Sequence, residues 1–106
     1  MKIYISGKIG DLDRAYVERY FNCGVEYVQL WLPNFEPISP LNKESEQFNL
    51  SYKEYMMQDI DILWDCDAIL MLPNWKCSKG ARIEHGIAQE LDKLIYYMEF
   101  DKPPFM

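Results

Sequence analysis

The sequence predicts an α/β domain built on a parallel sheet, and three observations carry that expectation. Strand-like and helix-like segments alternate along the chain, which calls for crossover helices between parallel strands. The run Ala68 to Leu72 is apolar without interruption, as in a strand buried on both faces. The length of 106 residues suits one domain, residues 1–106, and not two.

Residues 2–6, Lys-Ile-Tyr-Ile-Ser, are rich in β-branched and aromatic side chains and predict the first strand. A flexible turn, Gly7-Lys8-Ile9-Gly10, follows, after which Asp11 or Asp13 can cap a helix. From about Ala15 to Leu30, the residues Val17, Phe21, Gly24, Val25 and Val28 recur at helical spacing. Leu32-Pro33-Asn34 ends that helix. Phe35 to Ile38 predicts a short strand, with Pro37 assigning it to an edge. The polar stretch 39–50 reads as a loop, either a solvated connection or a lid over a ligand. A second helix is expected over Tyr52 to Trp64, then the buried strand, then a loop from Pro73 to Lys79. A third helix from about Gly80 to Leu91 is expected to bury Ile83, Ile87 and Leu91. Leu94 to Met98 supply the last strand.

Composition narrows the function classes. The formal net charge of −6 disfavours a polynucleotide partner, whose phosphates would be repelled. One nucleotide remains compatible, because a phosphate needs only a local nest of N–H groups and one or two cations. The longest apolar runs fall far short of the ~20 residues that span a membrane. Met1-Lys2 leads directly into a strand, unlike a signal peptide. Cys23, Cys66 and Cys77 form no CxxC pair and are odd in number, so reduced thiols and a cytoplasmic location are expected.

In a parallel sheet, ligands bind outside the carboxyl ends of the strands. That rule gathers Ser6 to Gly10, Pro73 to Gly80 and the start of the third helix around one crevice. Asp59 falls inside the apolar stripe Tyr52, Tyr55, Met56, Ile60 and Leu63. A carboxylate there must be paired, hydrogen-bonded or facing a cavity. Capping a backbone N–H or meeting Lys8 would also satisfy it. Asp61, rotated by about 200°, should face solvent. Glu84 borders the expected stripe of the third helix near its start, where negative charge suits the helix dipole and where a side chain also points toward the crevice.

The segment Lys76-Cys77-Ser78-Lys79-Gly80-Ala81-Arg82 joins a hydroxyl, a glycine and three cations at a helix start, a place where free N–H groups bind anions. An ordinary polar loop is the competing reading. The first loop lacks GxGxxG, so no dinucleotide fingerprint is present. His85 is the only histidine and has no HxxxH or CxxC companion, which argues against zinc. Helical spacing scatters Asp59, Asp61, Asp65 and Asp67, so no metal site and no cofactor is expected.

Together these segments resemble a known family. Ile3-Tyr4-Ile5-Ser6-Gly7-Lys8-Ile9-Gly10 is similar to the first strand and loop of nucleoside 2-deoxyribosyltransferases and the related 2'-deoxynucleoside 5'-phosphate N-hydrolases. Asp59 resembles their catalytic aspartate. Ser78-Lys79-Gly80-Ala81-Arg82-Ile83-Glu84-His85-Gly86 resembles the segment that carries their nucleophilic glutamate. The resemblance implies a flavodoxin-like three-layer sandwich with a short, mainly parallel sheet of four to five strands. It implies cleavage of an N-glycosidic bond, with Glu84 attacking C1' and Asp59, its pKa raised by apolar surroundings, protonating or orienting the departing base. Tyr4, Ser6, Gly7, Lys8, Ile9, Ser78 and Gly80 would contact the substrate. Ser78 stands where transferases of free nucleosides often have an acidic residue, which points toward a nucleoside monophosphate. A homodimer or higher homo-oligomer is implied, with the tail Asp101 to Met106 docking on a partner protomer or fraying. The alternative is a non-catalytic binding protein for a nucleotide or ADP-ribose-like ligand.

Overall fold

In the computed structural model of the chain, residues 1–10, 12–42 and 51–98 are described. Among these residues, four strands form one all-parallel sheet: β1 (Lys2–Ser6), β2 (Glu36–Ile38), β3 (Ala68–Met71) and β4 (Leu94–Tyr97), in the spatial order β2-β1-β3-β4. Three helices connect them: α1 (Arg14–Trp31), α2 (Tyr52–Trp64) and α3 (Lys79–Glu90). Short 3-10 turns occupy Pro40–Asn42 and Trp75–Cys77. The fold is flavodoxin-like, and its strand order follows the pattern of that class.

The layers follow from the two-residue period of the strands. On β1, Ile3 and Ile5 face α1 and meet Val17, Phe21 and Val28. Tyr4 turns the other way, into a second core with Leu63 of α2 and Ala81 and Ala88 of α3. One helix therefore covers one face and two cover the other. All four residues of β3 are buried on both faces, as the uninterrupted apolar run requires. β2 lies at the edge, where Pro37 removes no hydrogen bond the sheet needs.

The helix ends are set chemically. Asp13 caps α1, its carboxylate accepting from the N–H of Tyr16. The other expected cap, Asp11, lies outside the described residues. Ser51 opens α2 with a reciprocal pair: its Oγ accepts from the N–H of Glu54 at 3.1 Å, and Glu54 Oε1 accepts from the N–H of Ser51 at 3.0 Å. Hydrogen bonds to its carboxylate, from the Ser51 backbone N–H first and the Ser51 side chain second, hold the Glu54 carboxyl below its ordinary pKa. Past α2, Lys93 Nζ donates to the carbonyls of Trp64 and Cys66, pinning the entry to β3.

Two glycines let backbones approach closely. A Cβ on Gly24 would stand 2.8 Å from Cδ2 of Leu72 and 3.1 Å from Cγ2 of Ile5, so glycine lets α1 settle on the sheet. A Cβ on Gly7 would meet Cδ1 of the same Leu72 at 2.7 Å. The carboxyl ends of β1 and β3 are thus drawn together, and the N–H of Leu72 donates to the carbonyl of Ser6 at 2.8 Å.

One expected core stripe is wrong. α3 buries Ala81, Glu84 and Ala88, whereas Ile83 is 39% exposed and Ile87 and Leu91 are only half-buried. The helix packs tightly through its small residues, so the branched residues fall to its flank. Glu84 lies at the centre of the buried stripe instead of at its border. The last strand ends at Tyr97, and a 3-10 turn interrupts the expected loop 73–79. The suggested lid within 39–50 falls largely on residues 43–50, outside the described residues, as does the tail Asp101 to Met106.

Candidate functional site

The direction of chain progression reverses between β1 and β3, since β2 lies on one side of this pair and β4 on the other. Connections leaving such a point diverge to opposite faces and open a crevice between them. A cavity of about 490 Å³ lies there. That size suits a drug-sized or nucleoside-sized ligand. Its wall includes Tyr4, Gly7, Asp59, Ser78, Gly80 and Glu84, together with Ile9 and Gly10 of the first loop.

Glu84 is 4% exposed and accepts two hydrogen bonds from β1. The Tyr4 hydroxyl donates to Oε2 at 2.7 Å, and the Ser6 hydroxyl donates to Oε1 at 2.6 Å. Tyr4 and Ser6, two residues apart, lie on one face of the strand, so one register places both donors against one carboxylate. A buried carboxylate without such partners would cost several kcal/mol of desolvation, on the order of the penalties known for unpaired buried charge. Glu84 thus belongs to β1 as much as to its own helix.

Asp59 is 8% exposed and lies on the same cavity wall, opposite in origin because α2 supplies it. Both carboxylates act on Tyr4. Burial pushes the Tyr4 hydroxyl well above its ordinary pKa, and the charges of Glu84 and then Asp59 push it further. That hydroxyl therefore remains a donor throughout the ordinary pH range. Asp61, Asp65 and Asp67 are exposed, and among the described residues no group of three metal-ligating side chains converges.

Ser78 and Gly80 line the cavity at the start of α3. The Ser78 hydroxyl caps the helix, accepting from the N–H of Ala81 at 3.1 Å. Gly80 lies beneath α2: a Cβ there would stand 3.1 Å from Sδ of Met56 and 3.3 Å from the Tyr52 hydroxyl oxygen. Lys76, Lys79 and Arg82 are exposed and stand outside the wall, with Lys76 over the Trp75 ring at 5.8 Å. Of the remaining expected contacts, Ser6 sits behind Glu84 and does not line the cavity. Lys8 also stays off the wall, and its backbone N–H donates to Asn74 Oδ1 at 3.1 Å.

The wall also holds residues that their sequence pattern places elsewhere. Tyr52, Tyr55 and Met56, expected in the core stripe of α2, line the cavity at the N-terminal end of that helix. Their clustering one to two turns before Asp59 was the available signal. Arg14, also on the wall, is a cation in the first turn of α1, where the helix dipole disfavours it. Its Nε donates to Glu18 Oε1 at 3.0 Å. That unfavourable placement was legible in the sequence.

His85 faces away from its neighbour Glu84. It stacks on Trp75 at 4.3 Å between centroids and shares a 2.7 Å hydrogen bond with the Tyr97 hydroxyl. Burial lowers its pKa. Cys66 is buried and donates its thiol to the Ile62 carbonyl, Cys23 is half-buried and Cys77 exposed; all three are free thiols. Among the described residues, no helix is long and apolar enough to cross a membrane.

Comparison with known proteins bears on the fold and on the family. Residues 1–97 match the model of a family described as Domain of unknown function (DUF4406). No curated protein matches the sequence. Among solved structures, a conserved protein from Enterococcus faecalis V583 is similar over 92% of this chain and 62% of its own, with 17% identity and a TM-score of 0.69. A 2-desoxiribosyltransferase from Leishmania mexicana is similar over 92% of this chain and 63% of its own, with 21% identity and a TM-score of 0.65. The chain therefore spans less than two thirds of the length of either neighbour, and at these identities the likeness is one of fold.

Proposed function

The chain belongs to the DUF4406 family, and we propose that it cleaves the N-glycosidic bond of a nucleoside or nucleoside 5'-monophosphate with Glu84 as nucleophile. The observation that carries this reading is the buried Glu84 carboxylate, held at both oxygens by β1 and sharing one cavity wall with Asp59. Two carboxylates at one sugar-sized cavity are the minimum apparatus for displacement at an anomeric carbon. The fold likeness to a 2-desoxiribosyltransferase supports the same class of chemistry.

In the first step an oxygen of Glu84 bonds to C1' while the C1'–N bond breaks. The electron pair leaves with the base, and Asp59 in its acid form supplies the proton. The product is a glycosyl ester of Glu84. In the second step water attacks C1', the ester bond breaks, and the pair returns to the Glu84 carboxylate while the Asp59 carboxylate takes the water's proton. A second base in place of water gives transfer. Two smaller barriers replace one large one, and the fixed negative charge stabilises the oxocarbenium-like transition states. The aromatic end of the cavity, Tyr52 and Tyr55 with Met56, offers a surface against which a base can stack.

The test is incubation with a panel of deoxynucleosides and their 5'-monophosphates, with free base measured by chromatography. The wild type releases base, and Glu84→Gln lowers the rate by about 10³-fold or more, as loss of a nucleophile does. Undiminished release by Glu84→Gln would reject this role for Glu84. Calorimetric binding of a nucleotide without release by the wild type would instead establish a binding protein.

A further inference from the structure

We infer that Ser6 governs the second half of the reaction, as the positioning residue that receives the carboxylate charge when the glycosyl–Glu84 ester breaks. This inference rests on the reading of Glu84 as nucleophile. Ser6 is 1% exposed, its hydroxyl lies 2.6 Å from Glu84 Oε1, and it does not line the cavity. A ligand therefore senses Ser6 only through Glu84. Tyr4, by contrast, holds Oε2 and itself lines the cavity. Since the donor to Oε2 lines the cavity and the donor to Oε1 does not, Oε2 is assigned as the attacking oxygen and Oε1 as the one that stays with Ser6.

The two hydroxyls therefore meet different oxygens as the reaction proceeds. When Oε2 bonds to C1', it becomes an ester oxygen and a poor acceptor, so the Tyr4 bond weakens. Oε1 becomes the ester carbonyl and keeps the Ser6 hydrogen bond. When water displaces the ester, the electron pair of the C1'–Oε2 bond spreads over the carboxylate onto Oε1. A hydroxyl already fixed at 2.6 Å stabilises that charge without reorganisation. In the first step the same bond stabilises the starting carboxylate, and so does not accelerate attack. Ser6 therefore favours breakdown of the intermediate over its formation.

The experiment measures wild type, Ser6→Ala and Ser6→Cys side by side on whichever nucleoside substrate the wild type cleaves. It reads steady-state kcat and kcat/KM, the pre-steady-state burst of free base, and the intact mass of the protein quenched during turnover. Ser6→Ala is expected to lower kcat by about 10-fold to 100-fold, the worth of one hydrogen bond to a charged group. Its kcat/KM should change little, KM should fall, and a burst with a glycosyl mass increment should appear. Ser6→Cys, nearly the same size with a weaker donor, should fall between the two and serves if the alanine variant does not fold. Equal losses in kcat and kcat/KM without an accumulating ester, or unchanged kinetics, would overturn the role of Ser6 and leave Glu84 in place. Absence of base release from the wild type would instead overturn the reading on which this inference depends.

Discussion

At the scale of the residue, the hydrogen bonds of Glu84 dictate what can be measured. The carboxylate is buried, so its two donors set its orientation, and a torsion of the glutamate would forfeit both. Tyr4 and Ser6 differ in which oxygen they hold, but each bond is stronger to the carboxylate than to the ester. Tyr4→Phe keeps the ring in its core of Leu63, Ile69 and Ala81 and removes only the donor to the attacking oxygen. The Tyr4 bond, like that of Ser6, is stronger to the carboxylate than to the ester, so Tyr4→Phe is expected to lower kcat by about 10-fold to 100-fold, with ester accumulating and kcat/KM little changed. Steady-state kinetics and quenched-flow mass measurement check that outcome. A loss of kcat/KM without accumulating ester would show that Tyr4 instead serves the attack step, by orienting Oε2.

At the scale of the element, each helix brings a defined part of the site, so the ends of the helices matter. α2 carries Asp59 in its middle and Tyr52, Tyr55 and Met56 at its start. The reciprocal cap of Ser51 and Glu54 fixes that start. Replacing Ser51 by alanine leaves the N–H of Glu54 without its acceptor. The loss should be about 1 kcal/mol of stability, or roughly 5 °C in the melting temperature of a domain this size. Differential scanning calorimetry of Ser51→Ala reads this directly. α3 illustrates a different balance. Ala81 and Ala88 let it approach the sheet closely enough for Glu84 to reach β1, at the expense of exposing Ile83.

At the scale of the whole molecule, the parallel order β2-β1-β3-β4 creates the crevice, and contacts beyond the sheet hold its far side. His85 joins α3 to Trp75 and to Tyr97 at the end of β4. Burial lowers its pKa, whereas in the unfolded chain it titrates near its ordinary value of about 6.5. On acidification the unfolded chain therefore takes up this proton first. The contribution to stability is present above about pH 6.5 and is lost as pH falls through the lowered folded value. Thermal melting as a function of pH should show the wild type losing stability in that window, and His85→Gln should lack this component. An identical slope in both proteins would exclude His85 as its source.

By itself the sequence determined the alternation of elements and their type. The run at Ala68, the helical spacing from Val17 to Val28, and Pro37 at an edge are local patterns, and local patterns reflect burial on one or two faces. It also marked Asp59 and Glu84, because a charge within or beside an apolar stripe is anomalous without any knowledge of its surroundings. Only the tertiary structure decided which face of α3 is buried. Periodicity favours the large residues Ile83 and Ile87, whereas close packing selected the small ones and drew Glu84 inward. Likewise, Ser6 reads in sequence as one more residue of a binding loop. Its partner lies 78 positions away, and a contact so distant is fixed by strand register and helix approach, which no local window contains.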